Sequence, residues 1–144
     1  MTFTTFFKGP LVSASLTALL AVASLSALPA LAQDAMPLPT DATEVEQAAY
    51  AVLDKHCARC HQDGALKEGL TKSKSGFGHV MDIRRLAQDT KFVVQGNAAG
   101  SQLYNVIGEY SFPAMPDDCT ESACFPTDAE MAAVSTWIEG LTAA

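Results

Sequence analysis

The sequence predicts a small all-α domain of three or four helices joined by long loops. Apolar residues recur at helical spacing in residues 41–56 and again from 127 to about 140, and no pair of alternating strands accompanies them. Between these segments, Gly64, Gly69, Gly76, Gly78, Pro113 and Pro116 break the chain into loops. Loops of that length in a small domain need something beyond their own side chains to organise them. The 144 residues are 17% charged and 49% hydrophobic, which excludes a disordered polyanion or a membrane bundle. Sixteen acids against nine bases leave no electrostatic footprint for nucleic acid.

Residues 1–32 hold no acid and one base, Lys8, and end on Ala30-Leu31-Ala32 after an apolar stretch. A short positive start, an apolar middle and a small-x-small ending describe a secretory signal peptide. Export to the periplasm is therefore expected. About 20 apolar residues can also span a bilayer, so membrane attachment is expected only if this segment is retained. Residues 33–40 carry two prolines and no periodicity, and read as a flexible leader to a domain at 41–144.

In residues 41–56, Val45, Ala49, Val52, Leu53 and His56 form one apolar face, and acids occupy the first turns, where the helix dipole favours them. Residues 80–88 suit a short helix burying Val80, Ile83 and Leu86. Ser101 is placed to cap a helix at 102–109, with Leu103, Val106 and Ile107 inward. Residues 113–116, Pro-Ala-Met-Pro, exclude regular helix. Thr127-Asp128-Ala129-Glu130 is a capping box that starts a last helix, with Met131, Val134, Ile138 and Leu141 on one side and Trp137 adjoining.

The chemistry sits in Cys57-Ala58-Arg59-Cys60-His61. Two thiols three residues apart can each add to one vinyl group of a haem, and the adjacent imidazole can reach the iron, so this string reads as an attachment site for c-type haem. One motif implies one haem c. A large apolar cofactor also suits a domain this small, whose own core is modest. Two other uses compete: a thioredoxin-like redox pair, which lacks its βαβ context, and a zinc site joining Cys57 and Cys60 to Cys119 and Cys124.

An electron-carrying haem normally has a second axial ligand. Met115 is the leading candidate, because prolines on both sides of its segment restrict the backbone. His79 and Met81 are alternatives, as is an open site. Met131 lies on an apolar helix stripe, where core packing accounts for it. Arg84 and Arg85 could meet haem propionates or remain solvated.

These features resemble class I c-type cytochromes: a helix ending in C-x-x-C-H, a distal Met-Pro and a C-terminal helix with an aromatic residue. Gly69-Leu70, Gly96, Ser101-Gln102-Leu103-Tyr104, Met115-Pro116 and Trp137-Ile138 resemble the planctomycete-type cytochrome c domain in particular. The resemblance implies crossing terminal helices, with Ala49 and Leu53 facing Trp137. It implies His61 and Met115 as iron ligands and one-electron transfer between redox proteins, with no catalysis. The rival expectation is a small haem enzyme binding peroxide or gas at a labile distal site; a zinc- or disulfide-held binding module is a third.

Cys119 and Cys124, left over by the haem motif, are expected to form a disulfide that braces the Met115 loop. All eight bases beyond residue 32 lie in 54–91, while residues 92–144 hold seven acids and no base. That division suggests that Asp117, Asp118 and Glu121 meet a basic partner, or Lys67, Lys72 and Lys74 an acidic one.

Overall fold

In a computed structural model, residues 36–142 other than Glu109 are described. The expected signal segment and residues 33–35 lie outside them. Helix α1 spans Glu44–Leu53 and opens on a reciprocal capping box: Thr43 accepts from the Glu46 amide, and the Glu46 carboxylate accepts from the Thr43 amide at 2.8 Å. The helix runs on through a π turn, Asp54–Ala58, into α2, Arg59–His61. Single π turns inside helices are frequent at functional positions, and this one carries Cys57. Then come α3, Ile83–Gln88, α4, Gln102–Val106, and α5, Asp128–Gly140. The described residues contain no strand beyond two isolated bridges, Gln62 to His79 and Ile107 to Met115. The expected all-α architecture, four helical elements once α1 is followed through to His61, is what the chain forms.

Helix α1 packs on α5. Ala49, Val52 and Leu53 meet Val134, Trp137 and Ile138 in one buried cluster, as the apolar stripes require. Trp137 is only 2% exposed, so Trp137→Ala should cost about 3–5 kcal/mol in denaturant unfolding. Val45, expected on the buried face, is 40% exposed. It borders a groove whose α5 side is Ala129, Ala132, Ala133 and Thr136, short side chains that leave it uncovered. The second capping box also forms, with Thr127 accepting from the Glu130 amide.

Two expected helices are shorter than their apolar patterns. Val80 does not begin α3, because its amide donates to the His61 carbonyl at 3.2 Å; Asp82 caps the helix from the Arg85 amide instead. Helix α4 ends at Val106 because Ile107 turns extended to pair with Met115. Ser101 precedes α4 but its hydroxyl does not cap it; it bonds Val94 and Asn97 across the preceding turn. The described end of the leader lies on the domain: Leu38 packs against the core, and the Tyr50 hydroxyl donates to the Met36 carbonyl at 2.7 Å.

Glu130 ties the two terminal helices. Its carboxylate meets Lys55 at 2.7 Å and lies 3.3 Å from Nε2 of the buried His56. The Lys55 ammonium, then the Thr127 amide, hold its carboxyl down at about 2 from an ordinary 4.5. A depressed carboxylate stabilises the fold fully above its unfolded value, so this contribution should be lost as pH falls from about 4.5 to about 2. Glu130→Gln keeps an acceptor for the cap and loses the ion pair. We expect it to flatten that acid limb in thermal melts and to cost about 0.5–1 kcal/mol at neutral pH.

Candidate functional site

The π turn and α2 deliver Cys57, Cys60 and His61 to one end of the α1–α5 pair. The chain after His61 is stitched back onto the motif. The Asp63 amide donates to Gly78, the Lys67 amide to Arg59, and the Met81 amide to the Gln62 side chain. This return places Phe77 beside the motif. Its ring lies 5.4 Å from the His61 ring and stacks on Phe92 at 4.2 Å.

A cleft of about 680 Å³, including its open mouth, lies between these aromatics, α4 and the 113–115 segment. Cys57, His61 and Met115 all border it, and Phe77, Leu103 and Ile107 are among its apolar walls. Met115 is held there by its backbone: its amide donates to Val106 at 2.8 Å, and its carbonyl accepts from Gly108 at 3.0 Å. Cys57, Cys60, His61 and Met115 also border one smaller adjoining cavity, so all four expected residues converge.

The rival ligands go elsewhere. His79 lies 3.1 Å from an Asp89 oxygen and does not line the cleft. Met81 is 1% exposed and belongs to the core. Arg84 meets Asp41 at 2.8 Å, on the side of the domain where α1 begins, so the solvated alternative describes it better than contact with a propionate.

The electrostatics of the motif fit a haem site better than its two competitors. Burial, with Cys60 alongside, pushes the Cys57 thiol up to about 12. A thioredoxin-type nucleophile needs the opposite shift. The zinc alternative needs four convergent cysteines, whereas Cys119 and Cys124 are joined to each other, their Cα atoms 5.7 Å apart. Burial pushes His61 below the usual imidazole value, against smaller opposing effects of the Phe77 and Lys74 backbone, so it stays neutral at neutral pH, as a metal-ligating imidazole must be. Its Nδ1 is buried with no hydrogen-bond partner, a polar atom left unsatisfied by protein alone. The residues present therefore suit a covalently held haem.

A family model described as cytochrome c matches residues 46–142. The chain belongs to the cytochrome c family. No curated protein and no solved structure matches it. As a member of that family this cytochrome is a haem-binding electron carrier, and its family implies covalently attached haem c. The match begins within α1 and ends two residues past α5, so it contains every residue of the cleft.

Beside the cleft this cytochrome has contacts that the motifs do not announce. Asp118 meets Arg59 at 2.7 Å and Lys67 at 2.6 Å, and Asp117 meets Lys74 at 2.6 Å. Lys67 and Arg59 hold the Asp118 carboxyl below its ordinary value. The two charge groups expected to serve rival docking partners thus largely satisfy each other. The only forewarning in the sequence is the segregation of bases into 54–91 and acids beyond it.

Proposed function

We propose that this protein is a periplasmic monohaem cytochrome that carries single electrons between redox proteins, of the planctomycete-type subfamily. The observation that carries this reading is the placing of Cys57, His61 and Met115 on the walls of one apolar cleft. The single C-x-x-C-H supports one haem, and the export-type N-terminus supports the periplasm. Cys57 and Cys60 would hold the haem through thioethers, with His61 and Met115 as axial ligands. Bound haem supplies an iron that gains and loses one electron. His61, kept neutral by burial, would offer its lone pair to that iron, and Met115, fixed through Val106 and Gly108, would offer its sulfur. Apolar walls such as Leu103 and Ile107 exclude water. A thioether ligand paired with imidazole would favour a raised potential. Haem staining of the wild-type protein on a denaturing gel tests the reading, and a band without stain would overturn it.

A protein partner is supported by Tyr110 and Phe112, 95% and 100% exposed, beside Pro113 on the cleft wall. With Asp117 and Asp118 paired, Glu121 and Asp128 are the acids of that region that form no ion pair among the described residues. A basic partner with an apolar contact patch fits. Phe112→Ala should slow electron transfer to a basic redox protein roughly 3- to 10-fold at low salt, with an unchanged absorption spectrum. An equal rate would remove this face from docking.

A further inference from the structure

We infer that Asp117 and Asp118 are positioning residues, an electrostatic latch that holds Met115 over the haem. The inference rests on the reading of Met115 as axial ligand. Met115 is tethered from both directions. On its N-terminal side the tether is backbone, through Val106 and Gly108. On its C-terminal side, after Pro116, the tether is ionic: one pair crosses to the segment that presents the cysteines and His61, and two cross to the loop that follows it. Asp118 grips Arg59, which stands between Cys57 and Cys60, and Lys67, whose amide is bonded to the Arg59 carbonyl at 2.8 Å. Asp117 grips Lys74, the neighbour of Ser75 on the cleft wall. Two adjacent carboxylates therefore join the distal loop to three cations of the proximal side.

An isolated surface pair contributes little. Here three pairs act on one short segment, and the Asp118 carboxylate bridges two cations with its two oxygens. Opening this segment would break all of them together, so they bias the closed, Met-ligated state as a set. Being half-exposed, they should also respond to ionic strength.

The test is a titration of the ferric holoprotein with imidazole, at a pH where imidazole is neutral, following loss of the sulfur-to-iron charge-transfer absorption. The Asp117→Asn/Asp118→Asn variant should bind imidazole roughly 3- to 10-fold more tightly than wild type. High salt should move wild type toward the variant and leave the variant nearly unchanged. Glu121→Gln/Asp128→Asn removes the same charge without touching the latch, and should behave as wild type. Asp117→Lys should weaken the Met-ligated state, and Lys74→Asp in the same chain should restore it. Equal imidazole affinity in wild type and the Asn variant, or an equal effect from the Glu121/Asp128 control, overturns the latch while the ligand assignment stands. Absence of the charge-transfer absorption in wild type, with unchanged affinity in Met115→Ala, overturns the ligand assignment and the latch with it.

Discussion

Replacing Cys57 and Cys60 together with Ala should leave a protein that carries no haem through denaturation. The wild-type band should stain for haem on a denaturing gel, and the double variant should not. Either single variant keeps one attachment point and should stain weakly. The expected loss extends to the fold. The cleft is bordered by Phe77, Val80, Phe92, Leu103, Val106 and Ile107, an apolar wall that bound haem would cover. A domain of about 100 residues buries too little surface to leave such a wall hydrated without cost. A group that binds only the folded chain stabilises it by mass action, and covalent attachment makes that occupancy permanent. The double variant should therefore lose much of its far-UV helical signal at temperatures where wild type keeps it. Haem that survives acidified-solvent extraction in the double variant would overturn covalent attachment at these two residues.

The terminal helices were legible because their determinants are local. Residues 127–130 carry a capping box, and the apolar stripe of 128–140 repeats at helical spacing, so α5 could be placed from sequence within a residue. The attachment motif was legible for the same reason, with all its chemistry inside five residues. Lost were the features set by distant partners. Helix α4 stops at Val106 because Met115 pairs with Ile107, a contact eight residues apart that no periodicity records. Val80 is drawn out of α3 by the His61 carbonyl. The ion pairs of Asp117 and Asp118 join positions 43 to 59 residues apart. Composition displayed the opposite charges but not their mutual contact, so they read as two free docking faces instead of one closed network.

Met115→Ala should open the sixth coordination position while His61 and both cysteines continue to hold the haem. The His61 side of the cleft depends on Phe77, Val80 and the motif itself, none of which the substitution touches. The backbone of residue 115 should stay in place, since its bonds to Val106 and Gly108 do not involve the side chain. What disappears is a sulfur donor and its apolar bulk. Exogenous imidazole or cyanide should then bind without first displacing a ligand, and the sulfur-to-iron absorption of the ferric protein should vanish. Loss of a thioether that favours the reduced iron should lower the potential, by an amount on the order of 0.1–0.3 V within the roughly 0.8 V that axial ligands command. His79 cannot readily take its place, because its ring is engaged with Asp89 at 3.1 Å and is not part of the cleft lining. Met81 is enclosed in the core. Voltammetry and ligand titration of the same sample check both halves of this expectation. A potential and a ligand affinity equal to wild type would show that another group, or none, completes the coordination. The apolar cleft would then be the haem pocket of a protein with a different distal ligand.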